Sequence, residues 1–576
     1  MIVTRRDSLK LAGAALAGAA APRAFAQDLT GDKLPPRVPL DEFVQDADLV
    51  KALIRGVRAM KARRPSDPLS WFYQAAIHGV TDAAIEIAAA GDPDVMAVNR
   101  KKHWNQCPHF GQASANFLPF HRAYMHYFER ILRAQTGESR FALPYWDYSK
   151  PGNYRFPREY GVTRLAAAID GDDSNPLYHA ERNIYFTDWE HWSGDNYPYS
   201  QLTPEAVDWS PARDCAAFFG LTEREGLAGA AADEDTSTRG RLESFPHDPI
   251  HRMVGGLIPQ PPLPNPNDPA NPIPQPAAAG GMANPQTAAL DPIFCVHHSN
   301  IDRLWAEWSM MSGKEWGHFP PQAWFDDTPW VFFDVVMKDG NFAPMEVIRP
   351  RKDFFDHRAL GTVYKYEDLA KTPLKLPDRI PASPQLVASA ATPLARISAP
   401  SQVSGLRAER FAVAPVASSV NSSFERARRQ PPAATGQARV LMRINGVDIS
   451  AVTATGFDVH LVTDANVKPR RTDPSFVGAI ALFRHDQHAQ AATQAQASEH
   501  AAHAPGMPPA PAMPTSRPAS DTFDVTDALR AVDQTDPSKM HVVIVPVSLS
   551  ATVDGQKAVA ETTGLKFDSI EFLSKG

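Results

Sequence analysis

Apolar positions recur at helical spacing in the first half of the chain, in residues 50–58, 69–90, 117–132 and 293–310. Apolar residues three and four apart fall on one face of a helix, which must pack against other elements. Polar, aromatic-rich stretches connect these segments, and residues 259–276 carry too many prolines for a helix or a central strand. The pattern predicts a mainly α core domain with long loops.

The second half of the chain has a different pattern. Residues 371–437 are rich in Pro, Ala and Ser without periodicity, which predicts a linker. Beyond it, several segments alternate or run apolar with many β-branched residues, and these predict a small antiparallel β domain. They are residues 438–444, 456–462, 478–483 and 540–549. The Ala, Gln, His and Pro stretch at 489–519 predicts a disordered insert.

The N-terminus predicts an export signal. Arg5-Arg6 precedes the apolar run 11–21, and the small-residue motif Ala24-Phe25-Ala26 follows. This order is typical of a twin-arginine signal cleaved after residue 26. A membrane anchor is the weaker interpretation, because the apolar run is about half of the roughly 20 residues that span a bilayer. We therefore expect a periplasmic or secreted protein without a membrane segment.

Composition narrows the function classes. The chain has 576 residues and a formal net charge of -7, so it offers no basic face for nucleic acid. It has three cysteines, Cys107, Cys215 and Cys295, which cannot form a disulfide framework. The length allows a catalytic core domain at 27–325, a segment at 326–370, the linker at 371–437 and the β domain at 438–576.

Histidines provide the clearest chemical signal. His247 and His251 lie four residues apart, so they share one helix face, and a third imidazole from another helix would complete a site with open positions. An isolated pair of this kind is more often a solvated or packed pair. The adjacent His297 and His298 favour a metal site here, because aliphatic residues surround them.

A second trio of histidines lies upstream, at His78, His109 and His121. Two trios in one helical domain predict two metal ions that face each other. Zinc is the competing metal by ligand type alone, since three imidazoles and a water also describe hydrolytic zinc.

The two runs that contain these histidines resemble a known family. Residues 117–122 read Phe-Leu-Pro-Phe-His-Arg, and residues 291–305 read Asp-Pro-Ile-Phe-x-x-His-His-x-Asn-Ile-Asp-Arg-Leu-Trp. Both resemble the copper motifs of the type 3 copper proteins, which include tyrosinases, catechol oxidases and polyphenol oxidases. Residues 329–364 and the stretch from 456 onward are similar to segments of the plant polyphenol oxidases. The resemblance implies a four-helix bundle holding a dicopper centre, followed by a C-terminal β domain.

The resemblance also implies the ligands. The first copper would use His78, His109 and His121, and the second would use His247, His251 and His298. Of the adjacent pair, His298 is chosen because it lies seven residues after Asp291. His297 would then either pack in its helix or orient substrate. His103 is the alternative to His109 as the middle ligand.

Further residues near the ligands acquire roles from the same resemblance. Cys107 stands two residues before His109, as in the fungal proteins whose cysteine forms a thioether with that ligand; an ordinary buried thiol is the alternative. Arg122 and Asp302 would form a buried ion pair between the two copper-bearing helices, with surface exposure as the alternative.

Two carboxylates are candidates for proton transfer. In this family a glutamate and an asparagine hold a water that deprotonates monophenols, and the matching residues are Glu243 and Asp248. Two like charges side by side would raise the pKa of one of them. Asp248 could instead pack at a helix start against Arg252. Pro285 falls at the gate position over the second copper, where a small residue would admit monophenols.

The implied activity is that of a tyrosinase. Two copper ions with O2 as co-substrate would hydroxylate monophenols and oxidise o-diphenols to o-quinones, and the β domain would keep the enzyme latent until cleavage near 426–430. Catechol oxidase, o-aminophenol oxidase and a hemocyanin-like oxygen carrier are the alternatives. A copper chaperone could load the site, and histidines and methionines of the insert could scavenge copper. These are His485, His488, His500, His503, Met507 and Met513. The sequence leaves the oligomeric state open.

Overall fold

The computed structural model describes most of the chain outside the N-terminus. The described residues are 35–108, 114–150, 153–187, 202–220, 226–229, 239–258, 278–381, 392–402, 408–415, 425, 429, 439–448, 456–464, 466–471, 473–480, 520–532, 536–547 and 565–575. The predicted export signal, the proline run at 259–276 and the insert at 489–519 lie outside them.

Helices form the first domain. The longer ones are α1 (Ala47–Ala62), α2 (Trp71–His78), α3 (Asp82–Gly91), α4 (Phe117–Thr136), α5 (Asp248–Gly255) and α6 (Ile293–Ser309). Short helices are Leu40–Phe43, Arg100–His103, Arg158–Gly161, Ile184–Thr187, Pro204–Val207, Ser210–Asp214 and Gln322–Asp326. The predicted helix at 69–90 is two helices, because Ser70 and Thr81 each accept a backbone N–H and so begin a helix.

The centre of the domain is α4, which is buried on nearly every side. It packs against α1 at Gly56, where an added Cβ would lie 2.8 Å from the Thr136 side chain. Nearly all of α6 is buried as well, so the two motif-bearing helices form the core. Among the helices of the described residues, none is long and apolar enough to cross a membrane.

A buried ion network joins α4 and α6. Arg122 of α4 donates to Asp302 of α6 at 2.5 Å, and both side chains are buried. The predicted ion pair is therefore confirmed, and the alternative of surface exposure is wrong. Arg37 adds contacts to Glu129 at 2.7 Å and to Asp302 at 3.3 Å, and the Tyr364 hydroxyl donates to Asp302 at 2.6 Å.

A β-hairpin follows the helices and packs on α4. Its strands are β1 (Phe332–Lys338) and β2 (Asn341–Val347). Asp339 and Gly340 connect them with φ of 50° and 79°, the left-handed conformation that a two-residue hairpin turn requires. Short strands elsewhere pair as Arg164–Ile169 with Asp172–Ser174, Ala217–Phe219 with Glu315–Gly317, and Leu257–Ile258 with Ala278–Ala279.

The C-terminal domain consists of two antiparallel sheets over one apolar core. Its strands are β3 (Thr392–Gln402), β4 (Glu409–Ala412), β5 (Ala414–Pro415), β6 (Arg439–Asn445), β7 (Gly456–Val462), β8 (Phe476–Ile480), β9 (Ser520–Asp524), β10 (His541–Val547) and β11 (Lys566–Lys575), with the helix α7 (Thr526–Val532). One sheet has the order β4-β10-β7-β8 and the other β5-β3-β11-β6-β9. The predicted fold class, a helical core with a C-terminal antiparallel β domain, is confirmed.

The prediction of a linker throughout 371–437 is wrong. Strands β3, β4 and β5 lie within it, and β3 pairs along most of β11. Pro393 and Pro400 argued against a strand in the sequence, since proline has no N–H group to donate a hydrogen bond to a β-ladder. The structure tolerates them because the β3–β11 register shifts near both positions.

We predict that Asp302→Asn lowers the free energy of unfolding of the metal-free protein by about 3–5 kcal/mol, because it leaves Arg122 and Arg37 buried without a charge partner at this position. Urea unfolding measures the change. The control is Asp170→Asn, which removes an exposed partner of Arg55 and should change stability little. Equal effects of the two variants would contradict the role of the network.

Candidate metal centre

Four imidazoles meet at the junction of α5 and α6. His247 ends a π-helical turn (Glu243–His247) directly before α5, His251 lies in α5, and His297 and His298 lie in α6. Their ligand-capable atoms are all within 4.8 Å of one another, and all four side chains are buried. The structure thus brings together the three predicted ligands of the second copper, and His297 with them.

Two of these rings are oriented through Nδ1. The Nδ1 of His251 lies 2.8 Å from the Met282 carbonyl oxygen, and that of His247 lies 2.8 Å from a carboxylate oxygen of Asp248. Because carbonyl and carboxylate oxygens only accept, both rings carry their proton on Nδ1. Their Nε2 atoms then present a lone pair to a metal ion.

The first trio is partly described. His78 at the end of α2 and His121 in α4 form a buried cluster with Cys107. Their Nδ1 atoms contact the carbonyl oxygens of Pro285 at 3.0 Å and of Phe117 at 2.8 Å, so Nε2 is again the atom that can bind a metal ion. His109 lies outside the described residues.

Two predictions depend on that position. The thioether to Cys107 and the middle ligand stay predictions, although the Cys107 Sγ lies 3.6 Å from the Nε2 of His121. His103, the alternative ligand, instead contacts the Tyr73 hydroxyl at 2.7 Å and Glu346 at 3.2 Å, and the described cluster does not include it.

The two clusters face each other through His298. Its ring stacks on that of His121 with centroids 4.2 Å apart, and its Nε2 lies 3.2 Å from the Nε2 of His251. The neighbouring His297 is held on its other side by the Tyr148 hydroxyl, 2.9 Å from its Nδ1. His298 is therefore the member of the adjacent pair that contacts both clusters.

Burial keeps these imidazoles neutral. It lowers the pKa of His121 and of His297 to about 3, and it places the pKa of His251 and His298 well below the usual 6.5. Neutral imidazole is the form that binds metal ions.

The donor set fits a metal ion. The Nε2 of His297 and the Nδ1 of His298 are buried without a hydrogen-bond partner, which costs free energy unless a ligand satisfies them. Imidazole suits copper and zinc, so the chemistry of the donors agrees with the predicted copper pair.

Helix α6 is fixed where it begins. Asp291 accepts from the backbone N–H of Ile293 and forms a buried two-point ion pair with Arg182, at 2.6 and 2.7 Å. Burial opposes ionisation of Asp291, but Arg182 outweighs it and lowers the pKa of Asp291. The ion pair thus sets the position from which His297 and His298 project.

The two predicted catalytic carboxylates share a cation. Arg239 donates to Glu243 at 2.9 Å and also to Asp248. The predicted repulsion between these carboxylates did not take Arg239 into account, and its effect on their pKa values stays a prediction. Sequence reasoning missed Arg239, although its position four residues before Glu243 was a usable signal. The nearby Arg252 is buried, which lowers its pKa to about 10 against the attraction of Asp248.

Pro285 was predicted as a gate over the second copper. It is buried, and its carbonyl holds His78 of the first cluster, a contact that the sequence did not predict. Its role as a gate stays a prediction.

The β domain lies against the segment that leads into His247. The guanidinium of Arg471, between β7 and β8, stacks on the ring of Phe245 at 3.2 Å and donates twice to Asp458. Arg241 lies over the ring of Phe476 at 5.3 Å. The second domain thus covers residues two to six positions before His247.

The helical domain thus contains two facing clusters of buried side chains that could each hold a metal ion. Residues 68–311 match the family model described as the common central domain of tyrosinase. The helical domain of this chain is therefore similar to that of the tyrosinases and polyphenol oxidases, which are type 3 copper proteins.

Two relatives extend the likeness beyond that domain. A tyrosinase (HcTyr1) from Hahella sp. (strain CCB-MM4) is 28% identical over 457 residues, which cover 74% of this chain and 81% of the relative. A chloroplastic polyphenol oxidase from Malus domestica is 25% identical over 469 residues, which cover 78% of this chain and 68% of the relative. Similar solved structures include a latent aurone synthase and a latent apple tyrosinase, both with a TM-score of 0.48 and 19% identity. Each alignment covers 94% of this chain, together with 90% of the aurone synthase chain and 98% of the apple tyrosinase chain.

We predict that the metal-free protein loses stability as the pH falls from 6.5 toward about 5. Below pH 6.5 the unfolded chain takes up protons on histidines that remain neutral when folded, so each such histidine contributes a slope of about 1.4 kcal/mol per pH unit. Urea unfolding at several pH values measures it. His297→Gln should make the slope shallower by about 1.4 kcal/mol per pH unit, the contribution of one histidine. An unchanged slope would contradict the conclusion that His297 is buried in its neutral form.

Proposed function

We propose that this protein oxidises phenols with O2 at a pair of copper ions. The observation that carries the proposal is the pair of facing clusters, in which His78, His121, His247 and His251 are oriented through Nδ1 and keep Nε2 for a metal ion. The family supports copper, and the names of the relatives, tyrosinase and polyphenol oxidase, support phenols as substrates.

His78, His109 and His121 would hold the first ion, and His247, His251 and His298 the second. Zinc fits the same donors, but the likeness of residues 68–311 to the central domain of tyrosinase favours copper. The copper pair supplies the two-electron chemistry with O2. The protein's own side chains keep the imidazoles neutral and exclude water, with the ring of Phe294 at 4.2 Å from that of His298 and the ring of Phe117 at 4.5 Å from that of His121.

Oxidation of o-diphenols is the activity that the geometry supports best. A monophenol must lose its proton to a base, and Glu243 and Asp248 both pair with Arg239. Carboxylate oxygens that already accept hydrogen bonds from a guanidinium are less available to hold a water or a substrate proton. Catechol-type substrates would therefore turn over faster than tyrosine-type substrates.

Hydroxylation of monophenols is the second candidate function. Glu243 is buried four residues before His247 and so stands where the family places its water-holding glutamate. Displacement of Arg239 from this carboxylate would supply the base. The sequence-based prediction of a tyrosinase rests on this step.

The β domain supports latency. Its Arg471 packs on Phe245 beside the second cluster, so the domain covers one side of the site. Removal of this domain would open that side to substrates. Export by the N-terminal signal is part of the same proposal and rests on the sequence motif alone.

We predict that copper-loaded protein contains two copper ions per chain and consumes O2 with catechol, faster after limited proteolysis has released the β domain. An oxygen electrode and copper analysis measure both quantities. Chelation of the copper should abolish uptake, because the ions carry the redox chemistry.

The controls separate the alternatives. His251→Asn should reduce the copper content, while Asp170→Asn at the exposed surface should not. A full copper complement without catechol oxidation after proteolysis would contradict the proposal and would favour an oxygen carrier. Faster oxidation of o-aminophenol than of catechol would favour the aminophenol oxidase alternative.

We predict that Arg239→Gln raises the ratio of tyrosine turnover to catechol turnover by about tenfold or more. The expected increase is smaller than the roughly 100-fold or larger rate effect of a complete general base, because the carboxylates are already present. The substitution frees Glu243 and Asp248 from their cation. Initial rates on both substrates measure the ratio, with Arg55→Gln, an exposed arginine, as the control. An unchanged or lower ratio would show that Arg239 does not limit hydroxylation.

A further inference from the structure

A cavity of about 630 Å³ lies where the helical domain meets the β domain. The helix Ser210–Asp214 and the short paired strands Ala217–Phe219 and Glu315–Gly317 form its wall on the helical side. Arg471 enters from the β domain, and Arg241 reaches it from the segment before the π-helical turn. Its volume is that of a small-molecule site.

Arg241 is a buried cation that lacks a carboxylate partner in the part of the chain that the structure describes. Its side chain is 7% exposed, and its Nε and Nη1 have no hydrogen-bond partner. Among the described residues, no carboxylate forms an ion pair with it. A guanidinium in this state is costly, since buried charges are normally paired and hydrogen-bonded.

The neighbours of Arg241 do not supply the missing charge. The ring of Phe476 offers only the weak attraction of an aromatic face at 5.3 Å. The Cys215 thiol contacts the guanidinium, but burial raises the pKa of this thiol to about 11 even though Arg241 lowers it, so it is uncharged at neutral pH. The Nε and Nη1 groups of Arg241 therefore lack an acceptor among the described residues, at a side chain that lines the cavity.

The second arginine of the cavity is held rigidly. Arg471 donates to Asp458 at 3.0 and 3.2 Å, and its guanidinium stacks on the ring of Phe245. The carboxylates of the lining lie at the exposed rim: Glu315 is exposed, and Asp214 is 67% exposed and pairs with Arg213. Water screens these rim charges, whereas the charge of Arg241 inside is screened little.

We propose that this cavity binds a small oxyanion, a carboxylate or a phosphate, on the N–H groups of Arg241. Guanidinium groups recognise these anions through charge-assisted hydrogen bonds. Because Arg241 belongs to the helical domain and Arg471 to the β domain, the bound anion contacts both and strengthens their contact. This inference does not depend on the copper chemistry.

Calorimetric titration of the full chain with inorganic phosphate, and separately with benzoate, tests the proposal. At least one of the anions should bind with one site per chain. Arg241→Met should weaken the binding about tenfold or more, the equivalent of a lost charged hydrogen bond. Tighter binding of phosphate would identify a phosphate site, and tighter binding of benzoate a carboxylate site.

Stability in anion-free buffer provides the second readout. Arg241→Met should keep or raise the midpoint of thermal unfolding, because it replaces a buried charge that has no counter-ion with an apolar side chain of similar length. Added anion should raise the midpoint of the unsubstituted protein and leave that of the variant unchanged. Arg241→Lys, which keeps the charge, should bind more weakly than the unsubstituted protein and more tightly than the Met variant.

The matched control is Arg213→Gln, since Arg213 is 46% exposed near the same rim and should not affect binding. The proposal is overturned if neither anion binds at millimolar concentrations, or if Arg241→Met binds as tightly as the unsubstituted protein. It is also overturned if Arg241→Met unfolds at a lower temperature in anion-free buffer, because Arg241 would then be a structural residue.

Discussion

Imidazoles buried in an apolar core must be neutral, and each then has one nitrogen that donates and one that accepts. At His78, His121 and His251 the donating Nδ1 is bound to a backbone carbonyl oxygen, and at His247 it is bound to Asp248. The accepting Nε2 atoms of these four rings are thereby directed toward the space between the clusters. The convergence of the two sets on a metal pair follows from that arrangement.

The helices that carry the rings are held in turn by buried charges. Arg122 and Arg37 tie α4 to α6 through Asp302, and Arg182 fixes the start of α6 through Asp291. Buried ion pairs often add little net stability, but removal of one partner is costly, so these contacts resist displacement of the helices. Small rotations of α4 or α6 would separate His121 from His298, so these ion pairs serve the metal site.

The sequence predicted what local motifs determine. The helices around His121 and His298, the ion pair of Arg122 with Asp302 and the β domain all follow from periodicity and from the resemblance of the two copper motifs. The strand β3 escaped prediction because Pro393 and Pro400 interrupt its pattern and because its partner β11 is distant in the chain.

For the arginines near the second cluster, the spacing of Arg239 and Glu243 suggests one pair, but the full set of contacts depends on the three-dimensional structure. The double pairing of Arg239 depends on how the turn before His247 brings Glu243 and Asp248 together. Likewise, the absence of a carboxylate partner for Arg241 among the described residues is visible only in three dimensions.

We expect the imidazoles that are tethered through Nδ1, those of His78, His121, His247 and His251, to bind the copper ions through Nε2. A crystal structure of the copper-loaded protein, with anomalous scattering at the copper edge, tests it most directly. We expect two copper peaks, one beside the Nε2 atoms of His78 and His121 and one beside those of His247 and His251, close to the ring of His298. A single peak, or coordination through Nδ1, would contradict it.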